Sequence, residues 1–569
     1  MRAEPTSLYA RLWVRLRLSW RRFRASLTIE PPASSVEQPR LWLLALAVGA
    51  LSGYAALGFV LAIRSLQWWI YGAPEEELAS AAATAPVWLL IAAPIITGAI
   101  MGALLRAFPN ETPLGVADVM QARALRQGRM SVRSGLISVF ASVLSLSGGG
   151  SAGREGPAVV AGGAIASAVS NRLKVTAFEA RTVLGCAVAA AVSASFNAPI
   201  AGALFSLEVV LGHYAIRAFA PITIASVAGA VISRTYLGDE PAFLIPQAAF
   251  GSYAQFPAFL LLGLCSAATA IIMIGSIFLV KDAMDEARKR LGAPLWTQPI
   301  AAGAMLGVIA VFFPHIIGVG YQTATEALSG QFDIWTCVIF AVVKTIAVAI
   351  TLGGRFAGGV FSPALLLGAL VGSAFGSVAL MVFPSVEGSQ ALYALAGMGA
   401  VAGAVLGAPI STTLIVFELT GDYDTAVAVM VSTSVSTVLT QQVIGKSFFH
   451  IQLARRRLNL SAGPQTFLLP SLKVRGLMRA RGAEDGASDT RAWELVRQGA
   501  FLTMDDTLDT AFPKFANGKL PFLPVIEAPG AVHGAEETAG PQLVGALFYV
   551  DALKAYNRAL VEMHAEEHT

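Results

Sequence analysis

The chain has few charged residues, few cysteines and few histidines for its length of 569 residues. Asp, Glu, Lys and Arg together make up 13% of it, about half the share found in soluble domains. Its cysteines, Cys186, Cys265 and Cys337, all lie in apolar runs, and its six histidines show no metal-ligand spacing. These scarcities argue against a disulfide framework or a metal site, and we predict that the cysteines are small buried apolar residues.

Apolar residues dominate instead, at 55% of the chain with a mean hydropathy of +0.64. Runs long enough to cross a bilayer recur, for example at Leu41–Ile63, Val87–Leu105, Phe256–Leu279 and Ile334–Leu352. Other runs are shorter and are interrupted by Gly or Pro, and such broken helices occur at membrane depth where they line a cavity. We therefore predict an all-α integral membrane protein in the lipid bilayer, with no nucleic acid partner.

Residues 1–40 form a separate basic segment, in which six arginines from Arg11 to Arg24 are interspersed with Leu, Val, Trp and Phe. This pattern is typical of an amphipathic segment on a membrane surface, and it fits a plain positive-inside topology signal equally well. Both interpretations place the N-terminus in the cytoplasm. Glu4 and the lack of a Ser-rich stretch weigh against a transit peptide.

A polar strip, SGGGSAGREGP, separates two apolar runs at residues 147–157. It carries Arg154 and Glu155, whose charges are costly at membrane depth unless they line a polar path. Pro157 suits the first turn of a helix, and a helix N-terminus presents free N–H groups and a positive dipole end to an anion. A carboxylate at that place competes with the anion.

Within this strip, Gly153–Pro157 (GREGP) resembles the signature of the CLC family of chloride channels and chloride/proton antiporters. Gly359–Pro363 is similar to the GxFxP motif of that family, and Phe196–Pro199 with Leu204–Glu208 is similar to its next landmark. The resemblance covers roughly residues 40–455 in family order and spacing. It implies a homodimer with one chloride path per subunit and two repeats that cross the membrane in opposite directions.

An internal repeat is also visible in the residues themselves, because two separate segments align at nearly the same sequence offset. The aligned pairs are Ala198–Ile200 with Ala408–Ile410, Glu208 with Glu418, Gly153 with Gly359, and Pro157 with Pro363. The repeats are about residues 41–240 and 254–450, and transporter repeats often hold the substrate where they meet. If the repeats are inverted, the helices that start at Pro157 and Pro363 point their N-termini at one place.

The resemblance implies a gate at Glu155 and an anion held by backbone N–H groups around Arg154–Gly156 and Val360–Ser362. Two hydroxyl ligands of the family are missing, since Leu114 stands at the serine position and Phe449 at the tyrosine position. We therefore expect weak anion binding in the centre. The candidate anion-site residues are Leu114, Arg154, Glu155, Gly156, Val360, Phe361, Ser362 and Phe449.

The intracellular proton route also departs from the family pattern. Family antiporters often carry a second glutamate directly after the landmark carboxylate, whereas Val209 follows Glu208 here. Because Glu155 is kept and the second acid is absent, we predict a gated chloride channel, with a chloride/proton antiporter as the alternative. The chloride-type GREGP and GxFxP motifs disfavour a fluoride exporter. No cofactor and no metal are expected besides the transported chloride.

A different class of protein is suggested by Gly149–Gly153, which fits the G-x-S-x-G nucleophile elbow with Ser151 as the nucleophile. An intramembrane serine hydrolase needs a histidine base within reach. The histidines of the membrane region, His213, His315 and His450, lie at or near predicted helix ends, and no supporting motif is present. A hydrolase is therefore the remote alternative.

From about Asn459 onwards the apolar runs stop and charges return. Leu472–Met478 resembles the opening of a CBS domain, and Gly499–Ile526 with Leu543–Leu560 resembles another repeat of it. We predict a linker at 456–471 and a small α/β, degenerate CBS-like cytoplasmic domain at 472–569, after a membrane domain at 41–455. A structural cap is the default for this domain, and an adenine nucleotide site is the alternative. Composition favours a bacterial inner membrane, with both termini cytoplasmic.

Overall fold

The computed structural model describes residues 37–109, 111, 113–238, 255–382, 389–456, 458, 468–470, 472–483, 485–518, 520–527 and 542–568. The chain divides into two compact units, Met1–Leu44 and Ala45–Thr569. In the first unit only residues 37–44, the start of a helix, are described. The amphipathic segment predicted for residues 1–40 therefore lies almost wholly outside the described residues.

Helices make up the membrane region of the described chain. In chain order they are Glu37–Tyr71, Leu78–Thr84, Val87–Ala107, Val116–Leu125, Val132–Ser147, Glu155–Leu173, Ala177–Phe196, Pro199–Phe205, Ile216–Leu237, Phe256–Arg290, Gln298–Phe312, Tyr321–Leu328, Ile334–Gly353, Phe361–Val382, Gln390–Leu406, Pro409–Thr420, Tyr423–Ile444 and Phe448–Arg455. By length and composition, nine helical stretches of the described residues could cross a membrane. This confirms the predicted all-α membrane architecture.

Small residues let these helices approach one another very closely. Helix Phe361–Val382 and helix Gln390–Leu406 meet at Gly368 and Gly397, where a Cβ added to Gly397 would lie 2.4 Å from the carbonyl oxygen of Gly368. No larger residue fits there without a backbone shift, and such contacts are the usual way in which membrane helices pack. Gly368 and Gly397 therefore form a helix-packing contact.

The two repeats hold each other through a reciprocal pair of helix caps. Glu208 accepts a hydrogen bond from the backbone N–H of Ser411 at 2.8 Å, in the first turn of helix Pro409–Thr420. Glu418 of the second repeat correspondingly accepts a hydrogen bond from the N–H of Ala201 at 2.7 Å, in the first turn of helix Pro199–Phe205. A carboxylate there satisfies free N–H groups and complements the helix dipole.

The C-terminal region is a small α/β domain, as predicted. Its strands are Arg479–Ala480, Leu502–Thr503, Phe522–Glu527 and Gln542–Phe548, and their order in the sheet is first, fourth, third, second. Its helices are Asp489–Arg497, Leu508–Gly518 and Tyr549–His568. The third and fourth strands are antiparallel, with Phe522 opposite Phe548, whereas the second and third are parallel. The CBS assignment stays a prediction.

The C-terminal domain packs against the membrane region at one short helix. Ala124 and Leu125, at the end of helix Val116–Leu125, cluster with Leu468 and with Tyr556 and Leu560 of the last helix. The other end of helix Val116–Leu125 follows directly after Leu114 and Gly115. A single short helix thus connects this apolar contact to a candidate anion-site residue.

Candidate functional site

The two glycine-rich motifs meet backbone to backbone. The N–H of Gly153 donates to the carbonyl of Gly359 and the N–H of Gly359 donates to the carbonyl of Gly153, both at 2.7 Å, in an antiparallel bridge. A Cβ on Gly153 would lie 3.0 Å from the backbone nitrogen of Ser362, so glycine permits this approach. The bridge brings together the N-termini of helices Glu155–Leu173 and Phe361–Val382.

The carboxylate of Glu155 lies at this junction and is only 2% exposed. The hydroxyl of Tyr321 donates to its Oε1 at 2.9 Å, and the hydroxyl of Ser362 donates to the same oxygen. The backbone N–H of Ser362 donates to Oε2 at 3.3 Å. The carboxylate therefore occupies the N-terminus of helix Phe361–Val382, which is the kind of place where an anion binds.

The side chain of Arg154 forms a buried ion pair beside this carboxylate. Its Nη1 lies 2.9 Å from Oε2 of Glu75, and its Nη2 donates to the carbonyl of Ser195 at 3.4 Å. Its guanidinium carbon lies 4.5 Å from the centre of the Tyr321 ring, which is a cation–π distance. Glu75 thus holds the guanidinium against Tyr321, and only the backbone of Arg154 remains a candidate anion ligand.

Six of the eight predicted anion-site residues line one cavity, which we call the Leu114 cavity. It has a volume of about 350 Å³. The six residues are Leu114, Glu155, Gly156, Val360, Phe361 and Phe449. Leu114 and Phe449 contribute apolar side chains to the lining, so the two positions at which the family resemblance predicts hydroxyl ligands offer none here. Arg154 and Ser362 lie outside its lining.

The described lining of the Leu114 cavity contains more basic than acidic side chains. Lys281, Arg355 and Arg456 stand against Asp118 and Glu155. Arg456 pairs with Asp118 at 2.5 Å, and Asp118 also accepts the N–H of Gly115 at 2.9 Å. The charged side chains of the lining therefore carry a small positive excess, which makes the cavity slightly more favourable to anions than to cations.

Arg355 reaches this cavity from a backbone conformation that is unusual for its residue type. Its φ of 67° lies in the left-handed region, and the residue follows Gly353 and Gly354. The guanidinium donates to Asp285 at 3.0 Å and to the side chain of Gln298 at 2.9 Å. These contacts fix a positive charge on the cavity wall that the sequence motifs do not predict.

A second cavity, which we call the Arg64 cavity, has Tyr321 in its lining. It has a volume of about 510 Å³, and its lining includes Arg64, Glu76, Arg154, Phe196 and Tyr321. Glu155 lines the Leu114 cavity, whereas its hydrogen-bond donor Tyr321 lines the Arg64 cavity. The hydrogen bond between these two side chains therefore connects the walls of the two cavities.

Three aromatic rings from the linings of the two cavities also pack against one another. The ring centre of Phe361 lies 4.8 Å from that of Phe196 and 5.9 Å from that of Phe205. Phe196 lines the Arg64 cavity, and the other two rings line the Leu114 cavity. The partition between the cavities thus combines this apolar cluster with the hydrogen-bonded carboxylate of Glu155.

Val209, at the position where family antiporters often carry an acid, is buried within the π-helical segment Ser206–Leu211 and lines neither cavity. Its neighbour Glu208 is engaged in the helix cap on Ser411. Glu208 is therefore used in this cap, and it lines neither cavity.

Ser151, the nucleophile of the hydrolase alternative, is fully buried. Its backbone N–H donates to the hydroxyl of Thr351 at 3.0 Å, and its own hydroxyl has no hydrogen-bond partner among the described residues. A histidine base is therefore not in place. The described part of the chain also contains no group of three or more His, Cys, Asp or Glu side chains that could hold a metal ion.

Sequence reasoning missed Tyr321 and Glu75. Tyr321 is 166 positions from Glu155 along the chain, and Glu75 is 79 positions from Arg154. Neither belongs to a motif noted in the sequence. The available signal was weak: Glu75 begins a run of three glutamates beside long apolar segments, and Tyr321 follows a Gly-Val-Gly turn.

The chain is similar in sequence to known proteins. A family model described as "Voltage gated chloride channel" matches residues 97–441. The putative chloride channel protein ClcB-like of Ralstonia nicotianae is 29% identical over 415 residues, which cover 72% of this chain and 96% of that protein.

Two solved structures share the fold. A slow cyanobacterial Cl−/H+ antiporter matches with a TM-score of 0.63 at 22% identity, over 74% of this chain and 98% of that chain. A eukaryotic CLC transporter matches with a TM-score of 0.63 at 16% identity, over 90% of this chain and 98% of that chain. At these identities the likeness concerns the fold alone.

Proposed function

Because the chain belongs to the voltage-gated chloride channel family, known as CLC, we propose that it carries chloride through the Leu114 cavity under the control of Glu155. CLC proteins transport ions and are not enzymes, and chloride transport needs no cofactor. The observation that carries the proposal is the carboxylate of Glu155 at the N-terminus of helix Phe361–Val382, in the partition between two cavities. Chloride can take this place only after the carboxylate leaves, by rotation or protonation.

Within the Leu114 cavity, chloride would rely on groups other than side-chain hydroxyls at Leu114 and Phe449. The backbone around Gly156 and Val360 lines the cavity at the two facing helix N-termini, and basic side chains raise the local anion concentration. The central site is therefore weak, which suits rapid passage, because an ion that binds weakly also leaves readily.

We favour a gated channel over coupled antiport. Antiport at a fixed ratio needs proton access to Glu155 from both sides. Val209 has no titratable group, and Glu208 is used as a helix cap. The family acid at this position is therefore neither present nor replaced by its neighbour.

Chloride/proton antiport remains the second candidate, and one observation favours it. Asp118 and Glu155 line the same cavity, whose volume is large enough to hold water. A chain of water molecules between the two carboxylates could carry a proton without an acid at position 209.

Purified protein in liposomes separates these functions. Chloride efflux is followed together with internal pH, and the reversal potential is measured under an imposed proton gradient. The channel interpretation expects chloride flux, little proton movement and a reversal potential set by chloride alone. Uphill proton movement driven by chloride would overturn the channel in favour of the antiporter, and absence of anion flux would overturn both.

The same proposal extends to assembly and location. It places the protein as a homodimer, with one chloride path per subunit and both termini in the cytoplasm, in a bacterial inner membrane. Exposed apolar side chains such as Ile216 and Tyr423 provide surface for contact with lipid or with a second subunit. Mass measurement of the detergent-solubilised protein tests the dimer, and a monomeric mass at working concentration would contradict it.

A further inference from the structure

We propose that the hydroxyls of Tyr321 and Ser362 hold Glu155 closed and then become ligands of the anion that replaces it. The proposal rests on the proposed function, since it concerns the same chloride path. It makes Tyr321 an anion ligand at the gate, and it makes the gate the tighter of two anion positions along the path.

The two hydroxyls converge on one oxygen. Tyr321 and Ser362 both donate to Oε1 of Glu155, while the N–H of Ser362 donates to Oε2. All three donors belong to residues that are at most 4% exposed, so water has little room to replace them. Hydrogen bonds to a charged acceptor are stronger than those between neutral groups, and they stabilise the carboxylate in this position.

The turn that precedes Tyr321 is held by a buried lysine. The ammonium of Lys344, which is 0% exposed, donates to the carbonyls of Ile316 and Gly318, both at 3.1 Å. This holds the turn that leads into helix Tyr321–Leu328. Gly320 in the turn has a φ of 94°, and a Cβ there would lie 2.6 Å from the side chain of Leu366.

The ring of Tyr321 is fixed by the guanidinium of Arg154, which lies over it and is itself paired with Glu75. The hydroxyl is thus presented to Glu155 by a ring that has little freedom to turn away. Such preorganisation lowers the cost of binding, because the donor does not have to be ordered when the ligand arrives.

Hydroxyl donors are therefore distributed unequally along the path. The wall of the Leu114 cavity has apolar side chains at Leu114 and Phe449, whereas the gate has Tyr321 and Ser362. When the carboxylate leaves, both hydroxyls and the N–H of Ser362 lose their acceptor. An anion restores all three hydrogen bonds, and an unmade buried hydrogen bond is costly.

The charged side chains around Glu155 favour the replacement of its carboxylate by another anion. Arg154 and Glu75 interact electrostatically with both Tyr321 and Glu155. Glu76 and Arg64, which line the Arg64 cavity, interact electrostatically with Glu75. Lys344 acts on Glu75 from the opposite side. Removing the negative charge of Glu155 leaves this group one unit more positive, and chloride restores the balance.

The experiment removes the hydroxyls of Tyr321 and Ser362 one at a time. Chloride efflux from liposomes is measured against pH for wild type, Tyr321→Phe and Ser362→Ala, with Tyr393→Phe as the matched control at a buried tyrosine that packs on Phe259 and Phe375. Chloride binding is measured by calorimetry for Glu155→Gln with and without Tyr321→Phe. The Gln background reports the anion site without the competing carboxylate.

We expect Tyr321→Phe and Ser362→Ala to move the pH midpoint of flux upward by about 0.4 to 1.1 units each, because the ionised carboxylate loses a donor. Tyr321→Phe in the Glu155→Gln background should weaken chloride binding by about 2- to 12-fold. Tyr393→Phe should leave the pH midpoint unchanged. A merely structural tyrosine would lower the thermal stability without moving this midpoint.

The outcomes separate this proposal from the proposed function. If wild type and Glu155→Gln carry chloride, but both hydroxyl variants keep the wild-type pH midpoint and Tyr321→Phe leaves chloride binding in the Glu155→Gln background unchanged, the hydroxyl proposal is overturned and the chloride path stands. If Tyr321→Phe does not fold, the pH midpoint of chloride flux in Ser362→Ala tests the hydroxyl proposal by itself. Absence of chloride flux in wild type and in Glu155→Gln overturns the proposed function itself.

Discussion

Restoring the two missing hydroxyls of the Leu114 cavity is the sharpest test of the weak central site. The change is Leu114→Ser together with Phe449→Tyr, which adds one hydroxyl at each of two positions in the cavity lining. Both side chains line the cavity that also contains Glu155. The backbone N–H of Leu114 donates to the hydroxyl of Ser138 at 2.7 Å, so the turn that would carry the new serine is already held.

The expected gain follows from the two added donors. Each net hydrogen bond contributes about 0.5–1.5 kcal/mol, so the pair contributes about 1–3 kcal/mol to chloride binding. This corresponds to binding that is about 5- to 150-fold tighter. Tighter binding in the centre should also slow the ion's release, so we expect the maximal flux to fall in the same variant.

Calorimetry of the purified variant measures the affinity, and liposome efflux measures the rate. Leu114→Ala alone is the matched control, because it removes the bulk of the leucine without adding a hydroxyl. Unchanged chloride affinity in a folded double variant would refute the reasoning, since it would mean that these residues do not face the central anion. Equal tightening by Leu114→Ala would instead assign the effect to space and refute the hydroxyl explanation.

Three further predictions concern the gate, a helix cap and a buried histidine. Glu155→Gln should give constitutive chloride flux with little pH dependence, and a retained wild-type pH profile would show that Glu155 is not the gate. Glu418→Gln should lower the stability by about 0.5–2 kcal/mol in thermal unfolding, because a charged cap on helix Pro199–Phe205 becomes neutral, and an unchanged transition would argue against the cap. Burial, together with Arg123 and Arg181, lowers the pKa of His213 to about 4, so the folded protein binds its proton less readily than the unfolded chain. Stability should therefore fall as the pH drops from about 6.5 to 4, and His213→Gln should flatten this part of the stability profile.

The architecture was largely predictable, because the signals that determine it are local or repeated. Apolar runs predicted spanning helices, and Phe256–Leu279 lies inside helix Phe256–Arg290. The aligned glycines Gly153 and Gly359 marked two strips that the structure joins by a backbone bridge. Motif spacing also placed Leu114 and Phe449, which line one cavity although they are far apart in the chain.

The side chains around Glu155 were not predictable in the same way. Tyr321, Glu75 and Lys344 contact the site or support it through contacts between distant segments, and no spacing rule connects them. A buried polar side chain is recognised as part of a network only when its partners are known. Arg355 is a further case, because its left-handed backbone depends on the turn after helix Ile334–Gly353 and on no preference of arginine.

The reciprocal caps of Glu208 and Glu418 have a consequence for how the chain is made. The carboxylate of Glu418 meets its N–H partner 217 positions earlier in the chain. Helix Pro199–Phe205 can therefore gain the carboxylate of Glu418 as its cap only after the second repeat has been synthesised. Each repeat supplies a group that the other lacks, so a single repeat produced alone is left with an open helix end. We therefore expect the two repeats to be less stable when they are produced separately than when they are joined in one chain.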